Sequence, residues 1–298
     1  MQCRFFTDTH LASQRTPNRP LRFCEQAFDL IDECVTTCPP DFDVIVFGGD
    51  SIQRNPKKSK QYHIDLLKEF KRAVSPARVP FQYVSGNHEH DCFGDFNEIA
   101  RHVGLPVENA VKDTADGHRL IFINDAFHQK GIPHILPFTQ NTLDFVQKAV
   151  DEAPTRSITL FTHTPINDFD HYIDIVNGRD GDAEYVFRPN AKSMRDILEN
   201  SGKNCLVVTG HSHYEICEHH NNIVYMGVQS LVEGVETPPQ DNREIVHRRW
   251  ADITRNGESD VLIRLHGYDS RDIILDFNNL PSSQIKAAPD QAPSLAAE

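Results

Sequence analysis

The amino-acid sequence predicts a layered α/β fold. Two observations carry this prediction. Up to about residue 213, short β-rich apolar runs alternate with segments of helical periodicity, and after His213 strand-like runs follow one another without a helix between them. The 298 residues are 39% hydrophobic and 24% charged, as in ordinary globular proteins, and suffice for a sizeable core. A second sheet packed on the first would explain the change of pattern without a second domain.

The strand predictions rest on short runs of β-branched and aromatic residues. In the first part of the chain these runs are residues 4–6, 44–47, 81–84, 120–123, 157–161 and 205–208. In the last part they are residues 214–217, 223–226, 261–265 and 272–277.

The helix predictions rest on apolar residues that recur three or four positions apart. They place helices at residues 23–35, 62–73, 143–150 and 194–198. Residues 281–298 contain mainly Pro, Ser, Ala and Gln and have little to bury, which predicts a disordered tail. We therefore expect one domain over residues 1–280.

Composition restricts the partners and the compartment. A formal net charge of −13 disfavours binding of bulk nucleic acid but not of a small phosphorylated substrate, since bound metal ions would dominate the local field. No apolar run reaches the roughly 20 residues of a membrane helix, and the N-terminal apolar stretch is too short for a signal peptide. Seven cysteines without a CxxC pair indicate a reducing compartment. The sequence predicts a cytoplasmic protein and leaves its oligomeric state open.

Five short polar motifs follow predicted strands. In chain order they are Asp8-Thr9-His10, Gly48-Gly49-Asp50, Gly86-Asn87-His88-Glu89, His163 and Gly210-His211-Ser212-His213. In open α/β sheets, ligands gather at the carboxyl ends of strands. We therefore expect all five motifs to converge on one edge of the fold.

The converging side chains form a mixed nitrogen and oxygen ligand set without a thiolate, which suits Mn, Fe or Zn. The set comprises Asp8, Asp50, His10, His163, His211, His213 and the amide of Asn87. It is too large for one catalytic ion that must keep an open position. It fits two ions that share a bridging carboxylate and lie roughly 3.5–4 Å apart. Each motif alone also has a structural explanation, such as a turn, but the ordered set of five favours a metal site.

The motif order D-x-H, G-D, G-N-H-E, H, G-H-x-H resembles that of the calcineurin-like metallophosphoesterase superfamily. The resemblance implies a metallophosphoesterase-type two-sheet β-sandwich flanked by helices in four layers, α/β/β/α. It also implies a role for each motif residue: Asp8, His10 and His213 hold the first ion, Asn87, His163 and His211 hold the second, and Asp50 bridges both. By the same resemblance, His88 is catalytic and either protonates the leaving group or steadies the developing charge on the phosphate.

Features of individual sub-families indicate which branch of the superfamily the sequence resembles most. Asp50 is not followed by the Arg-Gly pair of protein phosphatases, and Gln53 replaces the Tyr of purple acid phosphatases. The segment that begins at Asn190 resembles the Asn-led helix of the class III cyclic nucleotide phosphodiesterase and glycerophosphodiesterase branch. We therefore expect a dinuclear-metal-dependent hydrolase, and a phosphodiesterase before a phosphomonoesterase, in which metal-bound hydroxide attacks a small phosphate ester.

Two alternatives remain open. A nuclease of the DNA-repair branch is disfavoured by the acidic balance and by the lack of a basic stripe. A non-catalytic metal-bound scaffold or binding module is disfavoured by the intact His88. Substrate specificity should come from the long segments between motifs, residues 11–21 and 165–189, and for the second we favour a solvated surface loop over a substrate cap.

Overall fold

The computed structural model describes residues 1–13, 22–94, 96–125, 135–169, 186–233, 235–236, 245–246, 248–267 and 270–280. The tail predicted for residues 281–298 lies outside this range, and the single domain over residues 1–280 stays a prediction. Two six-stranded mixed sheets and a two-stranded ribbon make up the β-structure of the described residues. The ribbon pairs β10 (Val235–Glu236) with β11 (Ile245–Val246).

The first sheet has the strand order β14-β13-β12-β1-β2-β3. Its strands are β1 (Gln2–Phe6), β2 (Val44–Phe47), β3 (Phe81–Tyr83), β12 (Arg248–Asn256), β13 (Asp260–Gly267) and β14 (Arg271–Asp276). The strands β1, β2 and β3 run parallel, with Phe6, Phe47 and Tyr83 in register, so their carboxyl ends share one edge. The strands β12, β13 and β14 extend the sheet by antiparallel pairing.

The second sheet has the strand order β4-β5-β6-β7-β9-β8. Its strands are β4 (Ala110–Asp113), β5 (Arg119–Phe122), β6 (Ser157–Phe161), β7 (Asn204–Thr209), β8 (Ile216–His220) and β9 (Ile223–Gly227). The four central strands β5, β6, β7 and β9 run parallel, and an antiparallel strand closes each edge. The motif histidines at 163, 211 and 213 follow β6 and β7.

Helices cover the outer face of each sheet. On the first sheet they are α1 (Ala27–Thr36), α2 (Lys60–Val74), α3 (Asn87–Phe93) and α4 (Phe96–Val103). On the second they are α5 (Gln140–Asp151) and α6 (Ala191–Asn200). Side-chain caps fix two of the starts, since Ser59 accepts a hydrogen bond from the amide of Tyr62 at α2 and Thr139 from that of Thr142 at α5.

The alternation of side chains along the strands builds three apolar layers. Phe5 and Val46 belong to the buried cluster between the sheets, whereas Phe6 and Phe47 point to the cluster beneath the helices. Phe161 stacks between Phe5 and Phe122 in the central layer, with ring centroids 5.8 and 5.3 Å away. This four-layer α/β/β/α sandwich confirms the predicted fold class.

The predicted strands differ from the observed ones mainly where polar residues are buried. The central strand β12 has the sequence RRWADITRN, which has no apolar run, yet Arg255 within it is buried. Its guanidinium donates hydrogen bonds to the carbonyls of Ile158 and Asn204 on the other sheet. The strand predicted for residues 214–217 begins instead at Ile216.

The described helices include none with both the length and the apolar content required to cross a lipid bilayer.

Candidate metal centre

The five motifs meet at the carboxyl ends of the parallel strands, as the sequence predicts. Asp8 and His10 follow β1, Asp50 follows β2 and Asn87 follows β3 on the first sheet. His163 follows β6, and His211 and His213 follow β7 on the second. Backbone hydrogen bonds join the loops: the amide of Asp8 donates to Gly49 O (2.9 Å), and that of His10 to Asp50 O (3.0 Å).

One group of side chains comprises Asp8, His10 and His213, which offer ligand atoms within 4.8 Å of one another. The Nε2 atom of His213 lies 3.1 Å from Asp8 Oδ1 and 3.0 Å from His10 Nε2. Asp50 Oδ2 lies 3.9 Å from His10 Nε2. The other oxygen of Asp8 accepts hydrogen bonds from Thr7 Oγ1 (2.6 Å) and from the amide of His211 (2.9 Å), which fix the carboxylate in this orientation.

A second group comprises Asp50, His163 and His211. Asp50 Oδ1 lies 3.5 Å from His163 Nε2, and Asn87 Oδ1 lies 3.2 Å from the same nitrogen. The two oxygens of Asp50 thus face different groups, Oδ2 the first and Oδ1 the second. A carboxylate that bridges two ions through both of its oxygens would have this arrangement.

The ring tautomers are compatible with a cation in each of the two groups. His163 Nδ1 lies 2.7 Å from the carbonyl oxygen of Gly48, and His213 Nδ1 lies 2.6 Å from Glu233 Oε2. Because these oxygens can only accept, each Nδ1 carries the proton. In the neutral rings both Nε2 lone pairs then face the oxygens of Asp8, Asp50 and Asn87, and such contacts need a proton or a metal ion between them.

The pKa shifts in the metal-free protein agree with this conclusion. Burial alone would lower the pKa of His163, but Asp50 and Asp8 outweigh it and raise this pKa to about 9. For His213, burial is again outweighed, here by Asp8 and Glu233, and the pKa rises to about 9. Burial would raise the pKa of Asp50, yet the surrounding histidines hold it well below its usual value.

His88 lies against the first group but is held differently from the ligands. Its Nε2 atom lies 3.8 Å from Asp50 Oδ2, and its ring contacts that of His10 with centroids 4.6 Å apart. Its Nδ1 atom accepts a hydrogen bond from the amide of Arg54 (3.0 Å), so that the neutral ring carries its proton on Nε2. Burial lowers the pKa of His88, which keeps the ring neutral. With His10 and Asp50 it forms a third group of ligand atoms within 4.8 Å.

The backbone at the site is strained. A left-handed φ between 40° and 65° occurs at Asp8, His10, Asp50, His211 and His213. Such torsions cost non-glycine residues free energy and cluster at functional sites. Two glycines allow the loops to approach: a Cβ on Gly86 would overlap the Asp50 carboxylate, and Gly49, with φ of 107°, lies against the His163 ring.

Glu89 is a site residue to which the sequence pattern assigns no role. It is fully buried at the start of α3. Its Oε1 accepts hydrogen bonds from the amide and hydroxyl of Ser51, both at 2.5 Å. Its Oε2 accepts from the amides of Gly86 (2.7 Å) and Asp50 (3.2 Å). The carboxylate therefore ties the loop after β2 to the loop after β3, and its position within the third motif is the signal that could have identified it.

Glu233 and Arg22 also contact the site, and no motif contains either of them. Arg22 Nε donates to Glu233 Oε2 (2.6 Å), the same oxygen that accepts from His213 Nδ1. No local pattern predicts this contact, because 211 residues separate the pair in sequence. Specificity was expected from residues 11–21 and 165–189, and most of both segments, residues 14–21 and 170–185, lies outside the described residues.

Comparisons with known proteins agree with the fold and show the family. A family model for calcineurin-like phosphoesterases matches residues 1–215. A dimetal phosphatase from Danio rerio superposes with a TM-score of 0.65 over 93% of this chain and 98% of that chain, at 13% identity. A protein named PhoD superposes with a TM-score of 0.62 over 96% of this chain and 72% of that chain, at 8% identity.

A third structure, GAP50, the anchor in the inner membrane complex of Plasmodium, has a TM-score of 0.54 over 92% of this chain and 89% of that chain, at 13% identity. At identities this low, the structural matches show the fold alone. Among curated proteins, no sequence matches the chain.

Proposed function

Since this chain belongs to the calcineurin-like phosphoesterase family, we propose that it hydrolyses phosphate esters with two bound metal ions. The observation that carries the proposal is the position of Asp50, whose two oxygens face two separate groups of ligand atoms. The first ion would be held by Asp8, His10, His213 and Asp50, and the second by Asp50, Asn87, His163 and His211. When bound, two such ions supply a nucleophilic water at neutral pH and neutralise charge on the phosphate.

His88 completes the site as a hydrogen-bond donor. Because its Nδ1 accepts from the amide of Arg54, the proton on Nε2 is the one that faces the site. A neutral imidazole donates a hydrogen bond readily but is a weak acid. We therefore assign His88 to stabilising the charge that develops on a phosphate oxygen, and not to protonating the leaving group.

The charge around the site favours a phosphodiester over a phosphomonoester. Within the described part of the chain, the arginines that contact the site are each paired with a carboxylate, Arg22 with Glu233 (2.6 Å) and Arg54 with Asp91 (3.3 Å). A diester carries one negative charge, whereas a monoester carries about 1.5 to 2 near pH 7. The net charge of −13 further favours a small substrate over a polynucleotide.

The test compares the Mn-reconstituted protein on bis-(p-nitrophenyl) phosphate and on p-nitrophenyl phosphate. We expect faster hydrolysis of the diester and loss of both activities in Asp50→Asn. Asp252→Asn removes a carboxylate that is paired with Arg4 away from the site, and it should retain activity. A protein that binds two ions but hydrolyses neither ester would favour the scaffold alternative. Preference for the monoester would identify a phosphomonoesterase.

A further inference from the structure

A partly buried polar cluster lies directly behind His213. It consists of Glu233, Arg22 and Gln53, and Glu233 lies beyond the residues that the family model matches. Glu233 Oε2 is 2.6 Å from His213 Nδ1, 2.6 Å from Arg22 Nε and 2.6 Å from Arg22 Nη2. This one oxygen accepts hydrogen bonds from His213 Nδ1 and Arg22 Nε and forms an ion pair with Arg22 Nη2. The side chains of His213, Arg22 and Glu233 are 13%, 8% and 14% exposed, so this cluster is largely shielded from water.

Further contacts attach the cluster to the metal-site loops. Arg22 Nη1 donates to the side-chain oxygen of Gln53 (2.9 Å), three residues after Asp50. The amide of Glu233 donates to Ser230 Oγ (3.1 Å), and this hydroxyl donates to the carbonyl oxygen of Asp8 (2.7 Å). Glu233 is thus fixed relative to both Asp8 and the loop that carries Asp50.

The distances decide which group receives the His213 proton. Arg22 Nη2 is also 3.3 Å from His213 Nδ1, but arginine offers no acceptor, and the 2.6 Å contact with Glu233 is much shorter. The Nδ1 proton is therefore donated to Glu233. In the neutral ring Nε2 then keeps its lone pair, which is directed at Asp8 Oδ1 and His10 Nε2.

We propose that Glu233 is a positioning residue for the first metal ion, and that Arg22 holds Glu233 in place. This inference rests on the proposed function. By accepting the Nδ1–H bond, Glu233 fixes the tautomer and orientation of His213 and increases the basicity of the Nε2 atom that meets the ion. Carboxylates that hydrogen-bond a ligating histidine in this way commonly contribute about 10–100-fold to metal affinity.

The experiment measures Mn²⁺ binding to the metal-free full-length chain by isothermal titration calorimetry at a single pH. In Glu233→Gln the charge is removed while the side-chain size is kept. We expect one of the two ions to bind about 10–100-fold more weakly and the other to bind as in the wild type. The decisive result is that the affinity falls for one ion and not for the other, because a general loss of stability would weaken the binding of both.

The chain offers a closely matched control. Asp252 is also 14% exposed, is paired with Arg4 (2.7 Å) and accepts from a histidine, His266 (2.8 Å), but it lies away from the metal site. Asp252→Asn should lower the melting temperature of the metal-free protein and leave both Mn²⁺ affinities unchanged.

Two results would overturn the inference. The first is wild-type affinity for both ions in Glu233→Gln. The second is that Glu233→Gln and Asp252→Asn weaken the binding of both ions to the same extent. A wild-type protein that binds fewer than two ions would instead overturn the proposed function. If Glu233→Gln does not fold, Glu233→Asp keeps the charge but shortens the reach to His213, and the same one-ion loss is expected.

Discussion

Backbone strain is concentrated at the residues that we propose as metal ligands. Asp8, His10 and Asp50 on one sheet, and His211 and His213 on the other, have φ angles that non-glycine residues avoid. Each such torsion costs of order 1–3 kcal/mol. The hydrogen bonds that surround these residues, such as those to Asp8 Oδ2, keep them in this conformation. The loops therefore hold these side chains in position at a cost to the stability of the fold.

Asp50 is the residue whose loss should affect both ions. In Asp50→Ala we expect less than one equivalent of metal per chain after reconstitution with Mn and no detectable hydrolysis, because each group loses the oxygen that faces it. Asp8→Ala removes a ligand from the first group alone and should keep one ion. Metal content by elemental analysis distinguishes the two. Retention of both ions in Asp50→Ala would contradict the bridging role.

His88→Ala tests the assignment of a donor that is not a ligand. We expect the variant to bind both ions and to lose about 10²–10³-fold in kcat, the usual cost of removing one donor to a developing oxyanion. The loss should be equal for esters with good and with poor leaving groups, because the hydrogen bond goes to a phosphate oxygen. A loss confined to poor leaving groups would show that His88 acts as an acid, and loss of metal would make it a ligand.

The motif residues could be predicted from the sequence, and their supporting residues could not. Each ligand follows a recognisable apolar strand, so its position at the sheet edge is implied by the strand itself. Glu233 and Arg22 reach His213 from segments that contain no motif, and their contact depends on the tertiary fold. Sequence periodicity carries no information about such a contact.

At the scale of elements, the site depends on how the loops after β2 and β3 are joined. Glu89, at the start of α3, accepts from the amides of Asp50, Ser51 and Gly86. In Glu89→Gln the side-chain NH₂ group would replace one carboxylate oxygen. It would face backbone N–H groups that then have no acceptor at that position. We expect a loss of about 1–3 kcal/mol in the free energy of unfolding, measured by urea denaturation of the metal-free protein. An unchanged free energy would show that the loops are held by other contacts.

Strands that are buried on both faces include those whose predicted bounds match the structure. The strands β2 and β6, VIVF and SITLF, have the predicted bounds, and every residue of both is buried. The edge strand β4 was missed because its sequence, AVKD, is half exposed. The strand β12 was missed because it contains charged residues. Contacts with other strands compensate these charges, as Arg4 does for Asp252.

At the scale of the whole molecule, metal binding should be coupled to proton release. In the metal-free protein at pH 7.5 both His163 and His213, with pKa values raised to about 9, carry a second proton. A metal ion on either Nε2 must displace it. We expect binding of two ions to release two protons, measured by calorimetry in buffers of different ionisation enthalpy. The absence of proton release would contradict the raised pKa values of His163 and His213.

The same shifts determine how stability depends on pH. A histidine whose folded pKa is raised from 6.5 to about 9 stabilises the fold fully below pH 6.5, and this contribution is lost as the pH rises through 9. The metal-free protein should therefore lose stability over this range, while metal binding becomes tighter because fewer protons compete. We expect the rise in melting temperature on adding Mn²⁺ to be larger at pH 8.0 than at pH 6.5. A rise that is equal or smaller at pH 8.0 would contradict this coupling.

The two sheets together build the site, since Asp8, His10, Asp50 and Asn87 come from one and His163, His211 and His213 from the other. The most direct measurement is a titration of the metal-free protein with Mn²⁺ while hydrolysis of bis-(p-nitrophenyl) phosphate is followed. We expect little activity up to one equivalent, a steep rise to a plateau at two, and no activity with excess chelator. Full activity at one equivalent, or hydrolysis that persists in chelator, would contradict a two-ion phosphoesterase.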